Sequence, residues 1–189
     1  MGSVRIGGRV YGGTASELFQ LNEATLLAGA PQDAQNGVAE EVRPAVRKAI
    51  DEGDYDKAAQ LWKNNAQVPY TARYLPMADL RLDMNLAGET SGYYRDLNIS
   101  DATSTVTFIS DGVTYNRTTF ISYPDQVMVV RIEADRKQAV GMDVSLSSKL
   151  RYRSTATGND LLVLRGKAPE YVAHRPDEPR QIVYADDEN

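Results

Sequence analysis

The sequence predicts a mainly β fold, an antiparallel β-sandwich with a small helical hairpin inserted near its N-terminal third. Three observations favour this fold class. Short segments with alternating apolar and polar residues fill residues 79–184, an Asp-Gly pair joins two of them, and no helical pattern separates them. A parallel sheet needs a crossover helix between strands, so a run of strands without helices favours antiparallel pairing in a sandwich.

Alternation is clearest at the start of this run, where every second residue is large and apolar. Such a period of two places the apolar side chains on one face of a strand, which is then buried. The apolar positions of this first segment are Leu80, Leu82, Met84 and Leu86.

Two hairpins are predicted further along the chain. Asp111-Gly112 lies between two β-branched segments, residues 103–109 and 113–121, and both turn residues tolerate a positive φ. Residues 126–133 and 139–146 are predicted to form a second antiparallel pair.

The only convincing helical stretch covers about residues 38–66. Pro44 suits the first turn of a helix, Gly53 suits the position just after a helix ends, and Asp54 suits the cap of a second helix. Tyr55, Ala59 and Trp62 fall on one side of that second helix. We therefore expect a helical hairpin that Trp62 anchors to the sheet.

Composition excludes several kinds of site. The 189 residues include no cysteine and one histidine, His174, so thiolate zinc sites, disulfides and cysteine nucleophiles are excluded. The net charge of -5 is spread along the chain, which argues against a nucleic-acid interface. No apolar run is long enough to span a bilayer. Absence of cysteine suits an exported protein and many cytosolic proteins alike.

No catalytic constellation is visible. Glycoside hydrolysis needs two carboxyl groups on either side of the scissile bond, and 26 acidic residues offer many accidental pairs. Asp79, Asp111 and Asp125 lie beside turn signals, where an aspartate usually bonds to its own backbone. The strongest local signal is the polar group Asn22, Glu23 and Thr25, which either hydrogen-bonds the loop internally or faces a cleft.

Several short segments become specific when they are taken together and in order. They are residues 5–13, 18–31, 76–82, 94–99, 111–115, 122–127 and 166–169, and the clearest read D-G-V-T-Y and S-Y-P-D-Q-V. In this order they resemble the N-terminal domain of glycoside hydrolase family 95, known for α-L-fucosidases and some α-L-galactosidases. The resemblance runs from about residue 5 to about residue 187.

The resemblance implies that residues 1–189 form the N-terminal β-sandwich, of the super-sandwich type, of a larger glycoside hydrolase. It implies that the acid and base lie in a catalytic (α/α)6 barrel that is not present in this chain. The parent enzyme is then an inverting α-L-fucosidase or α-L-galactosidase, and this chain alone is inactive. Accordingly no catalytic residue, metal or cofactor is assigned.

The implied partners are the parent enzyme's catalytic barrel and, through the full enzyme, a fucosylated or related glycan, with no nucleic acid and no membrane. The implied location is extracytoplasmic, periplasmic or secreted, in a bacterium. Asn22, Glu23 and Thr25 match the family segment Q-L-N-E-D-T-L and are predicted to bind substrate at the cleft wall. Ala24, Leu27 and Ala28 depart from the longer family pattern Q-L-N-E-D-T-L-W-S-G-G-P, in which Asp, Trp and Ser stand at these places.

Two other functions fit the same sequence. A stand-alone carbohydrate-binding β-sandwich module would stack sugars on exposed aromatic rings, and the chain has 11 tyrosines but one tryptophan. A purely structural interaction domain would instead show a large exposed apolar patch.

Overall fold

The computed structural model describes residues 1–3, 5–29, 38–66, 73–174, 176 and 178–186, and it confirms the predicted antiparallel β-sandwich. The elements in chain order are β1 Ile6–Val10, β2 Ser16–Glu23, β3 Leu27–Ala28, α1 Val38–Asp51, α2 Tyr55–Asn65, β4 Arg73–Tyr74, β5 Ala78–Met84, β6 Thr90–Asn98, β7 Thr103–Ser110, β8 Val113–Ser122, β9 Val127–Ala134, β10 Met142–Ser147, β11 Arg151–Thr157, β12 Leu161–Lys167, β13 Tyr171–Val172 and β14 Ile182–Val183.

Two four-stranded antiparallel sheets form the sandwich. Sheet 1 has the strand order β1-β2-β5-β10, and sheet 2 has the order β6-β7-β8-β9. Two-stranded ladders β3-β4, β11-β12 and β13-β14 lie outside these sheets. In sheet 2, β6 is an edge strand that pairs with β7, whereas β1 of sheet 1 pairs with β2 and also forms an isolated antiparallel bridge between Gly7 and Gly2.

The predicted Asp-Gly hairpin is confirmed as β7 and β8. Asp111 has a φ of 49° and Gly112 a φ of 68°, so both residues of the two-residue turn are left-handed. Two positive φ values define the turn type whose twist matches that of the flanking strands.

The second predicted hairpin is wrong. Strand β9 pairs with β8 in sheet 2, whereas β10 pairs with β5 in sheet 1. The chain between them crosses from one sheet to the other, so the two strands face each other across the core instead of pairing. Ile132 and Met142, from these two strands, pack against the same buried cluster. Alternation identifies the buried face of a strand but not the sheet to which the strand belongs.

The core lies between the two sheets. One cluster combines Met84 of sheet 1 with Val106, Phe108, Val113 and Tyr115 of sheet 2. The rings of Phe108 and Tyr115 stack at 5.2 Å between centroids. The second cluster is built on Val10, Phe19 and Leu82 of sheet 1, against which Met128, Val130 and Ile132 of β9 pack.

The predicted helical hairpin is confirmed, but the position of Pro44 within it differs from the prediction. Gly53 has a φ of 77°, and the Asp54 side chain accepts a hydrogen bond from the Lys57 amide at 3.0 Å, as predicted for the turn and the cap. Pro44, however, lies inside α1 and not in its first turn. No helix among the described residues is long and apolar enough to cross a bilayer.

The predicted role of Trp62 as an anchor is wrong. Trp62 is 49% exposed and Tyr55 is 70% exposed, whereas the buried residue of α2 is Ala58. The α2 face that packs against α1 is therefore shifted by one residue from the predicted Tyr55-Ala59-Trp62 face. Small residues, Ala49 and Ala58, are the ones buried in the two helices, which leaves the large rings at the surface.

A buried ion pair connects the two sheets. Glu17 of β2 and Arg117 of β8 form a salt bridge with side chains 0% and 2% exposed, and Arg117 also donates to the Gly13 carbonyl at 2.7 Å. Burial lowers the pKa of Arg117 from its ordinary value, while the charge of Glu17 opposes that shift. Arginine nevertheless keeps its charge in such surroundings, so the pair remains ionic.

Glu17 also holds the turn that follows β1. Its Oε1 accepts hydrogen bonds from the amides of Tyr11 at 3.1 Å, Gly12 at 2.9 Å and Leu18 at 3.0 Å. Gly12 has a φ of 82°, and a Cβ at Gly13 would lie 2.0 Å from the Ser16 carbonyl oxygen, so the turn requires both glycines.

Arg95 adds a second connection between the sheets from strand β6. Its guanidinium donates to the carbonyls of Tyr11 at 3.1 Å and Val10 at 2.9 Å. Strand β1 of sheet 1 is therefore bound to sheet 2 at its C-terminal end.

Removing one partner of the buried pair should destabilise the sandwich strongly. We expect Arg117→Ala to lower the free energy of unfolding by about 3–5 kcal/mol, because it leaves the Glu17 carboxylate buried without its cation. Arg131→Ala is the matched control, since the Arg131–Glu133 pair is exposed, and it should cost less than about 1 kcal/mol. Urea unfolding measures both, and equal losses would contradict this account.

Candidate functional site

Of the predicted site residues, Asn22 and Glu23 are the last two residues of β2, and Thr25 lies in the turn that follows. Neighbouring residues in a strand point to opposite faces of the sheet. Asn22 shares the outer face of sheet 1 with Gln20, whereas Glu23 does not. The structure therefore brings Glu23 and Thr25 together and separates them from Asn22.

Glu23 and Thr25 bind each other and the neighbouring strand end. The Glu23 carboxylate accepts hydrogen bonds from the Thr25 amide at 2.8 Å, the Thr25 hydroxyl at 2.5 Å and Arg5 Nε at 2.7 Å. These contacts, led by the Thr25 hydroxyl and then Arg5, lower the pKa of Glu23 to about 2. Of the two interpretations left open by the sequence, the internal bonding of the loop describes Glu23 and Thr25.

Asn22 lines a hollow of about 380 Å³ on the outer face of sheet 1. The register places Gly7 opposite Asn22, and it places Arg9, Gln20 and Asp79 side by side on three adjacent strands. The lining residues are Met1, Gly7, Gly8, Arg9, Gln20, Leu21, Asn22, Pro76, Ala78, Asp79, Ser148 and Lys149.

Most polar side chains of this hollow make few or no hydrogen bonds within the protein. Within the described part of the chain, Asn22, Asp79 and Lys149 make no side-chain hydrogen bond or ion pair. Gln20 accepts a hydrogen bond from the Tyr11 hydroxyl at 2.8 Å, and the Arg9 guanidinium lies 4.7 Å from the centre of the Tyr11 ring. The hollow thus presents polar groups that are available to a ligand.

The prediction that Asp79 bonds to a turn backbone is wrong. Asp79 lies within β5, on the outer face of sheet 1. Asp111 occupies the predicted hairpin turn, and Asp125 accepts a hydrogen bond from the Ser122 hydroxyl at 2.6 Å in the turn before β9. Asp79 is therefore the one of these three aspartates whose carboxylate faces a hollow.

His174 lies away from this hollow. Its backbone amide donates to Glu178 at 2.8 Å, and its carbonyl accepts from Arg73 at 3.4 Å. Across the described residues no group of three or more His, Cys, Asp or Glu is placed to hold a metal ion.

Sequence reasoning missed Arg9, Gln20, Asp79 and Lys149 as members of one site. Gln20 and Asn22 do carry a signal, because they alternate with the apolar Phe19 and Leu21 and so share an outer face. Their neighbours could be found only from strand order and register, which bring together residues that are distant along the chain.

Comparison with known proteins identifies the fold family. The family described as "Glycosyl hydrolase family 65, N-terminal domain" matches residues 1–188. The chain belongs to this family. The family 95 resemblance stays a prediction.

Two curated relatives of this family 65 N-terminal domain are named as fucosidases. "Alpha-L-fucosidase 2" of Arabidopsis thaliana is 29% identical over 170 residues, which cover 88% of this chain and 20% of that protein. "Probable alpha-fucosidase A" of Aspergillus niger is 29% identical over 143 residues, which cover 71% of this chain and 18% of that protein. The chain thus spans about a fifth of the length of these relatives.

The low pKa of Glu23 gives a pH dependence with a defined sign. Folding favours the charged form, so the contribution of Glu23 to stability is fully present above its ordinary pKa of 4.5 and is lost as the pH falls through about 2. We expect Thr25→Val to raise the pKa of Glu23, because it removes the hydroxyl that lowers this pKa most. Carboxyl carbon shifts measured by NMR during an acid titration report the midpoint.

The control for this titration is Thr105→Val, which removes a hydroxyl from a strand of the other sheet. It should leave the Glu23 midpoint near 2. A Glu23 midpoint near 4.5 in the unmodified protein would show that the Thr25 and Arg5 contacts do not form in solution.

Proposed function

We propose that this chain is the non-catalytic N-terminal domain of a longer glycoside hydrolase that resembles the α-L-fucosidases of family 95. In this proposal the domain braces the catalytic barrel and lines one side of its sugar cleft. The fucosidase names of the two relatives and the share of their length that the chain covers support the proposal.

The non-catalytic role rests on the hydrogen bonds and the pKa values of the carboxyl groups. Inverting hydrolysis needs a protonated acid of raised pKa and a separate base, about 6.5–9.5 Å apart. Glu17, the buried carboxylate among the described residues, is fully bonded by Arg117 and the turn amides. Contacts with Thr25 and Arg5 lower the pKa of Glu23, and contacts led by Lys167 lower that of Asp186.

Exposed apolar residues support the bracing role. Strand β6 is exposed along its whole length, with Tyr93 and Tyr94 51% and 60% exposed. Trp62 and Ile50 are about half exposed on the helical hairpin. Large apolar side chains grouped at a surface are typical of faces that pack against another domain.

A stand-alone carbohydrate-binding module is the second candidate. The observation in its favour is the hollow beside Asn22, next to the half-exposed ring of Tyr11. The two candidates differ in what covers the exposed apolar faces. The catalytic barrel would cover them in the bracing role, whereas a free-standing module would leave them in water.

The non-catalytic role is tested by assaying the purified 189-residue chain with nitrophenyl α-L-fucoside. We expect no release of nitrophenol above the buffer rate, because the described residues assemble no acid and base pair. The full-length parent enzyme serves as the positive control. Turnover by the chain that disappears when one of its own carboxylates is replaced would overturn the proposal.

The bracing role is tested by Trp62→Ser in two contexts. We expect the substitution to lower the melting temperature of the parent enzyme more than that of the isolated chain, because the exposed part of the ring is covered only in the parent. Calorimetry measures both, with Thr155→Ser on the exposed strand β11 as a surface control. Equal shifts in the two contexts would argue that this helical face meets no other domain.

A further inference from the structure

We propose that the hollow on the outer face of sheet 1 binds a neutral sugar, with Arg9, Asn22 and Asp79 as its principal hydrogen-bonding groups. This inference rests on the proposed function for the class of ligand. It adds residues that the sequence did not indicate, and it assigns no role to Glu23 or Thr25, whose polar groups are bonded to each other and to Arg5.

The arrangement follows from the strand register. Arg9 of β1, Gln20 of β2 and Asp79 of β5 occupy one row across three strands. Adjacent strands lie about 4.8 Å apart, so the three side chains leave the sheet at that spacing. Asn22 lies two residues along β2 on the same face, opposite Gly7, which has no side chain to cover the backbone.

These groups suit vicinal hydroxyls. A carboxylate accepts several hydrogen bonds, a guanidinium donates several in fixed directions, and a side-chain amide both donates and accepts. Each sugar hydroxyl can donate and accept, so a pair of adjacent hydroxyls can satisfy Asp79 and Asn22 or Asp79 and Arg9 together. The Cα atom of Gly7 and the ring of Pro76 offer apolar surface to the carbon-bound hydrogens of the sugar.

Part of the site is held in position before any ligand arrives. The Tyr11 hydroxyl bonds to Gln20, and the Arg9 guanidinium packs on the Tyr11 ring. Tyr11 is itself fixed through its backbone, whose amide bonds to Glu17 and whose carbonyl bonds to Arg95. Side chains fixed in this way lose less conformational entropy when they bind a ligand.

The hollow carries charges of both signs. Arg9 and Lys149 are cations, and the Asp79 carboxylate is an anion. An uncharged sugar can bind to all three groups, because its hydroxyls both donate and accept, whereas Asp79 would repel the charged group of an anionic ligand.

The test is a titration of the isotope-labelled 189-residue chain with methyl α-L-fucoside, followed by amide chemical shifts. We expect saturable shifts at Gly7, Asn22 and Asp79 and none on the outer face of sheet 2. The same titration with glucuronate, which carries a carboxylate, distinguishes a neutral ligand from an anion. Saturation by glucuronate alone would overturn the assignment of a neutral ligand.

Two substitutions locate the binding. Asp79→Ala should weaken binding about tenfold, because a charged hydrogen-bond partner is lost. Gly7→Val should abolish it by filling the hollow. Valine is compatible with this strand position, because Gly7 is not left-handed and its Cβ would meet Asn22 Cβ at an ordinary 3.5 Å.

The matched control is Asp143→Ala, which removes the same charge from β10 of sheet 1, outside the hollow. It should leave the affinity unchanged. Absence of fucoside shifts, or equal weakening by Asp79→Ala and Asp143→Ala, would overturn the inference. The nitrophenyl assay is separate: turnover by this chain would refute the non-catalytic role and would not create or remove the shifts at Gly7.

Discussion

The Glu17–Arg117 ion pair is the interaction on which the rest of this sandwich depends. Charges without water must be paired and hydrogen-bonded, and here the two partners come from different sheets. Hydrophobic packing alone would tolerate small sliding movements of one sheet over the other. A carboxylate that accepts from Arg117 and from three backbone amides tolerates very little, so the relative position of the sheets is fixed at this point.

The outer hollow depends on the same interaction, although it lies on the opposite face of sheet 1. Glu17 holds the turn between β1 and β2, and that turn sets the register of the two strands. A slip of one residue would move Arg9 to the inner face and Val10 to the outer face. The buried Glu17 carboxylate therefore helps to place Arg9 in one row with Gln20 and Asp79, because it fixes the register of β1 and β2.

Local patterns predicted the elements whose cause is local. The Asp111-Gly112 hairpin, the Asp54 cap and the alternating β5 segment depend on neighbours in sequence, and these predictions are confirmed. The pairing of β9 and β10 is decided by sheet order, and the exposure of Trp62 by which helical face meets α1, so neither could be read from periodicity. Glu17 also left no signal, because a glutamate between apolar residues looks like an ordinary solvent-facing position until Arg117 is placed opposite it. For the site, the sequence indicated Asn22 but not the residues that the register brings beside it.

The exposure of Trp62 limits what intrinsic fluorescence can report about the unfolding of this protein. It is the only tryptophan of the chain, and its indole is about half exposed on a helical hairpin, outside both core clusters. Emission from that ring reports mainly on the hairpin. The hairpin and the sandwich could lose structure at different denaturant concentrations, and intrinsic fluorescence would then follow the hairpin alone. Far-ultraviolet circular dichroism, to which the strands contribute, would be needed to see the sheets separate.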